Sequence, residues 1–339
     1  MKKYSFKKQR VQKLINEFSK CKILVFGDVG VDKYTIGKVS RISPEAPIPI
    51  VEVTDTQLKL GLAANVADNI GTLGGKAFLV GILGKDSAAN DFLNLLKTRK
   101  ISNRYLVHDS SRKTIVKERV VAEIQQVVRI DHETSQKIDV PYLKIIWSQI
   151  EKTLKTANAI IIEDYAKGLV DMKLTQQVLE HAKRLNIPVF VDPNRHSSAS
   201  LYYGSTVVTP NLQEAEVLSK TSITNAASLQ RAGYRLLEEM NATHVVITRG
   251  REGMAVFSKL KSEPWYIPAF AREVFDVSGA GDTAIATLAL AYISGADIIE
   301  AALLANYAAG VVVGKRGTAT VTQDELKEYI DFVGRYRNA

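Results

Sequence analysis

Cysteine is all but missing from this chain: Cys21 is the single one in 339 residues. That excludes an internal disulfide and a cysteine-ligated zinc centre. Histidine is sparse, and the five that occur are scattered, with no pair at metal-ligand spacing. Long apolar runs are absent as well. None approaches the roughly 18 residues of a membrane span, so no membrane partner is expected. The N-terminal MKKYSFKKQRVQKLINEF is basic but has no apolar signal-peptide core, and it reads as an amphipathic helix. Together these absences predict a cytoplasmic protein. No linker-like, low-complexity or fixed-period segment interrupts the chain, so a single domain is expected over residues 1–339.

What is present is the composition of a globular protein, 46% hydrophobic and 24% charged. The formal net charge is +9. Nucleic-acid binding would gather the basic residues on one face with interleaved aromatics. Here only the first dozen residues cluster densely, so no nucleic-acid partner is expected. A mildly basic enzyme handling phosphorylated small molecules fits the balance.

Short β-branched runs alternate with helical stretches. KILVFG (22–27), AFLVGIL (77–83), AIIIED (159–164), PVFVD (188–192), TVVTP (206–210) and HVVITRG (244–250) read as strands. Each is a near-continuous apolar run, as for parallel strands covered on both faces. Helices are expected over 141–156, 172–185, 225–240 and 297–313. The alternation predicts an α/β fold with a doubly wound, mainly parallel sheet. Two segments break the pattern. Residues 34–58 hold three prolines around IPIVEV, and 113–131 alternate like an antiparallel pair. Both predict a small inserted β lid over the strand ends, where open α/β sheets bind ligands.

The densest chemistry lies in DVSGAGDTAIATLALAYISGA (276–296), a glycine-rich turn feeding an apolar helix. Gly279, Ala280 and Gly281 leave backbone N–H groups bare at a helix N-terminus, which is an anion site. Asp282 sits in the first turn. The carboxylate is either a general base beside a transferred phosphate or a cap on its own helix. Asp28 and Asp32, in GDVGVDKY, are read at the C-terminus of the first strand, where they would accept from sugar hydroxyls; metal binding and turn capping stay open. Gly61 and the pair Ala63–Ala64 open a helix whose first turn carries Asn65, for sugar recognition or for close packing. In TPNLQEAE, Asn211 and Glu214 have capping-box spacing, and Glu214 equally suits magnesium held through water. Thr248, Gly250 and Gly253 in TRGREG allow close backbone approach to a ligand. GVVVGKRG (310–317) imitates a phosphate loop but has three residues between its glycines and Arg316 after the lysine, so it reads as helix packing and a turn.

Taken together, from about residue 20 onward, these motifs resemble the ribokinase-like (PfkB) carbohydrate kinases. GLAANVADNIGTLGGKAFLVGILGKD and DVSGAGDT match the two family signatures in order. SRISPEAPIPIVEV, QQVVRID, EDYAKG, TPNLQEAE and NYAAGVVVGKRGTATV look like the bacterial D-glycero-D-manno-heptose 7-phosphate kinases. That resemblance implies ATP- and Mg²⁺-dependent formation of the 1,7-bisphosphate, on the route to ADP-heptose and lipopolysaccharide. It also implies the single-function form without a nucleotidyltransferase domain. By the same resemblance Asp282 is the base, and Gly279, Ala280 and Gly281 form the anion hole. Asn211, Glu214, Thr248, Gly250, Gly253, Asp276, Ser278 and Asn306 lie around ATP and magnesium. Asp28, Asp32, Gly61 and Asn65 hold the sugar, and Arg41, Lys117, Arg119 and Lys167 are candidates for its phosphate. Three positions depart from the family pattern, all expected on the substrate side: Leu62 in place of a glycine, Glu163 in place of a small polar residue, and Asn194 followed by Arg195 in place of lysine and glycine. Lid strands with open edges predict a homodimer.

Overall fold

Alternate residues of KILVFG go to opposite sides. Ile23 and Val25 enter one apolar cluster, and Leu24 and Phe26 the other. The computed structural model describes residues 8–123, 125–270 and 274–337. In chain order its strands are β1 (Lys22–Gly27), β2 (Val29–Ile42), β3 (Pro49–Leu62), β4 (Lys76–Val80), β5 (Ile82–Leu83), β6 (Val107–His108) and β7 (Ile115–Ala122). There follow β8 (Gln125–His132), β9 (Ala159–Glu163), β10 (Val189–Asp192), β11 (Val207–Val208), β12 (His244–Thr248), β13 (Met254–Ser258) and β14 (Trp265–Ile267). The helices are α1 (Lys8–Glu17), α2 (Ala63–Thr72), α3 (Ser87–Thr98), α4 (Val140–Leu154) and α5 (Met172–Leu185). The remaining five are α6 (Leu212–Ser219), α7 (Ala226–Glu239), α8 (Ala280–Ile293), α9 (Ile298–Val312) and α10 (Gln323–Arg337).

The main sheet has eight strands in the order β14-β13-β12-β11-β10-β9-β1-β4. The run from β12 to β4 is parallel, while β13 and β14 add antiparallel. One face packs on α1, α2, α3, α8, α9 and α10 through residues such as Leu14, Ile70, Phe92, Ile285, Leu303 and Leu326. The other packs on α4 to α7 through Ile146, Val178, Leu218 and Leu236. Apolar cover on both faces is why the strands read as continuous hydrophobic runs. Helix α8 is buried from Asp282 to Ala291 because it lies between the sheet and its neighbours α2 and α9.

A second sheet of four strands, β3-β2-β7-β8, forms the lid. β2 and β7 are parallel, and each carries an antiparallel partner, β3 and β8. Its first hairpin is longer than expected, so Asp32 lies within β2 and Gly61 within β3, on the lid and not at the end of β1. The expected strand 77–83 also breaks. Ile82 and Leu83 pair with Val107 and His108 in a separate two-stranded ladder. The break falls at Gly81, where a side chain would meet the Val29 methyls at 2.6 Å. The expected strand 206–210 shortens to Val207–Val208. The edge strands β13 and β14 gave no expectation. Of the expected N-terminal helix, residues 1–7 lie outside the described residues, as does Ile124 of the lid segment.

Candidate active site

Asp282 begins the site. Gly279 caps α8 at φ +77°, a conformation that suits glycine. A side chain there would also sit 2.8 Å from Asn65 Nδ2. That amide nitrogen donates to Asp282 Oδ2 at 2.6 Å, and the Tyr165 hydroxyl donates to Asp282 Oδ1 at 3.0 Å. Both carboxylate oxygens are thereby aimed, in a group only 8% exposed. Burial raises the Asp282 pKa, the bonds from Asn65 and Tyr165 oppose the rise, and Asp32 and Lys117 act in opposite directions as nearby charges.

On the lid side, Asp32 accepts from Arg119 Nη1 at 2.8 Å and from Thr318 Oγ1 at 2.7 Å. The Thr318 hydroxyl hydrogen is thus committed, so the Tyr34 hydroxyl donates to Thr318 Oγ1 at 2.9 Å and accepts from Thr318 N at 2.7 Å. Lys59 Nζ donates to Thr318 O at 2.8 Å. Gly61 lies beside Asp32, whose Cγ would be 3.1 Å from an added Cβ. Asp28, in the turn between β1 and β2, takes the backbone N–H groups of Tyr165 and Lys167 on Oδ2, while its buried Oδ1 has no partner among the described residues.

The four candidate phosphate cations separate. Arg119 is engaged by Asp32, and Lys167 Nζ by Glu133 at 2.5 Å. Arg41 is exposed at the far end of β2, opposite Ile50, and the structure does not bring it to the site. Lys117 is in register with Asp32 across β2 and β7 and lies 4.9 Å from the Tyr165 ring centroid. It forms no ion pair among the described residues, and burial lowers its pKa.

A second, small cleft of about 80 Å³ opens on the other side of the α8 N-terminus. Asp192, Thr209, Asn211, Glu214, Thr248, Met254 and Gly281 line it. Asn211 and Glu214 form a capping box at the start of α6: Glu214 N donates to Asn211 Oδ1, and Asn211 N to Glu214 Oε2. The Glu214 pKa is raised by burial, against those bonds. Gly281 borders this cleft and precedes Asp282, so one helix end meets both the cleft and the lid-side groups that hold Asp282.

Five of the expected nucleotide residues lie outside the lining of this small cleft. Gly253, at φ +83°, packs against the backbone at Ile267, and Gly250 closes the turn before it. Asn306 is buried in α9 and donates to Pro268 O at 2.8 Å. Asp276 accepts from Ser278 N and Gly317 N, bracing the loop before α8.

The three departures fare differently. Asn194 is held by the neighbouring loop, with its Nδ2 on Asp164 O and its N–H on the Tyr202 hydroxyl. Leu62 adopts φ +59°, the strained value its side chain disfavours, and is buried against Gly30. Glu163 meets the chemistry. It is 0% exposed, and one carboxylate oxygen each from Glu163, Asp192 and Asp282 lies within 4.8 Å of the others. Burial first, then the neighbouring carboxylates, push Glu163 and Asp192 well above the ordinary carboxyl pKa. Sequence reasoning missed Asp192, Tyr165 and Thr318. Asp192 and Tyr165 sit in DPNRH and EDYAKG, and each carries a polar group directly after an apolar strand, which was the available signal.

A family model described as pfkB family carbohydrate kinase matches residues 22–325. The chain is 42% identical over 313 residues to the bifunctional protein HldE of Desulfatibacillum aliphaticivorans, covering 92% of this chain and 64% of that protein. It is 40% identical over 325 residues to HldE of Geobacter sulfurreducens, covering 96% and 66%. It thus spans 64–66% of the length of these relatives. Among solved structures, phosphofructokinase-2 from Escherichia coli in complex with substrates and products superposes with a TM-score of 0.77 at 18% identity, over 93% of this chain and 99% of that one. Arabidopsis thaliana ribokinase complexed with ribose and ATP gives 0.72 at 18% identity, over 92% and 99%. The structural likenesses establish a ribokinase-like fold.

Proposed function

Because the chain belongs to the pfkB family of carbohydrate kinases, we propose that the small cleft and the space under the lid, on either side of Asp282, receive the partners of a phosphoryl transfer. ATP presents its phosphates at the cleft of Asn211, Glu214 and Thr248, and a sugar phosphate lies under the lid. The observation that carries this reading is Asp282, buried at a helix N-terminus with each oxygen held by one donor, Asn65 or Tyr165. A carboxylate so placed takes the proton of an attacking hydroxyl, while the N–H group of Gly281 stabilises charge on the moving phosphoryl group; the Ala280 N–H, expected to be bare, is taken up by Val277 O at 3.2 Å. Asp32, Asp28 and Asn65 offer acceptors to the sugar. Lys117, which has no ion pair among the described residues, is the cation assigned to the acceptor's phosphate.

Magnesium fits the donor set, since a hard divalent cation wants carboxylate oxygens and the small cleft is lined by Asp192 and Glu214. Those two residues would hold it, and bound there it would neutralise phosphate charge. The acceptor assigned is D-glycero-D-manno-heptose 7-phosphate at its anomeric hydroxyl, in ADP-heptose and lipopolysaccharide synthesis in the cytoplasm. The motifs quoted above support that choice, as does roughly 40% identity to HldE proteins. The same reading makes the molecule a homodimer through its lid sheet, which exposes Val39, Val53, Val128 and Ile130.

The test measures ATP consumption against heptose, hexose and pentose phosphates and their unphosphorylated sugars. Turnover is expected with the heptose 7-phosphate. Asp282→Asn should lose about 10²- to 10⁴-fold in kcat while ATP binding persists, and Lys117→Met should lose the preference for phosphorylated acceptors. Wild-type turnover by Asp282→Asn would remove the base assignment. Preference for another sugar would correct the substrate alone. A silent binding protein, with Leu62 blocking the sugar site, would consume no ATP with any acceptor; the burial of Leu62 against Gly30 speaks against it.

A further inference from the structure

Glu163 is an oddity in physical terms. It ends β9, in register with Gly27 on one side and Asp192 on the other. Parallel neighbours in register project to the same face of a sheet, which brings the two acidic side chains together. Gly27 makes the arrangement possible, because a Cβ at that position would overlap the Glu163 Cβ at 2.7 Å. Both Glu163 oxygens are buried and have no hydrogen-bond partner among the described residues. The charged groups that bear on it most are Asp192, Asp282, Glu214 and Asp164, all carboxylates. A buried acid with neither donor nor cation is costly to leave charged.

The neighbours define what would satisfy it. Asp192 has one weak partner, Thr209 Oγ1 at 3.3 Å, on Oδ1, while its Oδ2 faces Gly281 across the small cleft. Asp282 differs from both, since its two oxygens are already occupied by Asn65 and Tyr165. One orphaned carboxylate, Glu163, and one held by a single hydroxyl, Asp192, therefore converge beside a third that is aimed elsewhere, with a cleft alongside from which water can complete a coordination shell. Carboxylate oxygens plus water are the ligands of Mg²⁺ and Mn²⁺.

We propose that Glu163 and Asp192 bind a divalent cation directly, with Asp282 facing it, and that the protein holds this cation before any nucleotide arrives. The inference rests on the reading of this site as one for phosphoryl transfer, and it adds a ligand, Glu163, and an order of binding. The cation occupies the place where a proton otherwise neutralises the pair, and it presents a positive charge to the phosphate cleft in advance.

The experiment strips the full-length protein of metal with chelator and titrates it with MnCl₂, with neither ATP nor sugar present. Free Mn²⁺ is followed by electron paramagnetic resonance, and the melting temperature is read with and without Mn²⁺. The wild type should bind one Mn²⁺ and melt higher with it. Glu163→Gln and Asp192→Asn should each weaken binding by at least about tenfold, through loss of ligand charge, and lose the Mn²⁺-dependent rise. Asp282→Asn should still bind. No Mn²⁺ binding by the wild type, or undiminished binding by a folded Glu163→Gln, overturns the proposal and leaves the carboxyls sharing protons. Because no substrate is present, either result is independent of whether Asp282→Asn abolishes turnover.

Discussion

Asp28 shows what a single buried carboxyl does to the stability of this fold. Burial, the largest influence, pushes its pKa up to about 6, with the backbone N–H groups of Lys167 and Tyr165 pulling down and Asp164 pushing up. A carboxyl whose folded pKa lies above its unfolded value of 3.8 binds its proton more tightly when folded. Its contribution is therefore most favourable below pH 4 and is lost as pH rises through 6. The loss amounts to about 3 kcal/mol once both states are ionised. Asp28→Asn keeps an oxygen for the two N–H donors and removes the titration. Between pH 4 and pH 7 the variant should gain roughly 2–2.5 kcal/mol relative to wild type, read from urea unfolding at several pH values. A constant gap across that range would place the titration elsewhere. Residues of this kind were only partly legible in the sequence. Asp28, Asn65 and Asp282 announce themselves by their place after a strand or in a first helical turn. Tyr165 and Asp192 carry only the signal of a polar group at the end of an apolar run, and their role comes from the register of β9 and β10 and the seating of α8 over them, none of which is local.

Among the elements, two glycines at helix ends behave oppositely. Gly279 has a positive φ, and an added methyl would press on the amide that orients Asp282. Gly279→Ala should cost about 1–2 kcal/mol of stability through the backbone alone and lower kcat as well. Gly71, in the last turn of α2, has open space where a Cβ would go. Gly71→Ala should stabilise by about 0.4–1 kcal/mol without changing turnover, and thermal unfolding of the two variants side by side checks both signs. Element type was readable from the sequence wherever burial on both faces kept the strands apolar. It failed where packing outside the segment decided the outcome, as at Gly81, whose missing side chain leaves room for the Val29 methyls at the point where the chain passes from β4 to the separate β5–β6 ladder. The antiparallel β13 and β14 were also missed. They extend the sheet at its edge, where no crossover helix marks them.

At the scale of the molecule, the lid is the part with surface to spare. All of β8 is exposed, and Val128 and Ile130 are 46% and 42% exposed on that edge strand. An apolar strand edge in water invites a partner. If two copies pair there, Val128→Lys together with Ile130→Lys should shift the protein from dimer to monomer in sedimentation equilibrium; an unchanged mass would assign the contact to another surface. The lid was visible in the sequence as a break in the α/β rhythm. Its attachment was not. Asp32, Tyr34 and Lys59, all on the lid, converge on Thr318, a residue some 260 to 290 positions downstream in the loop after α9. With the bond from Lys59 Nζ to Arg316 O at 3.2 Å, the covering sheet is therefore buttoned to the far end of the chain at two neighbouring residues. Lifting it away from the cleft means undoing those five hydrogen bonds together, so the cover and the C-terminal loop travel as one piece.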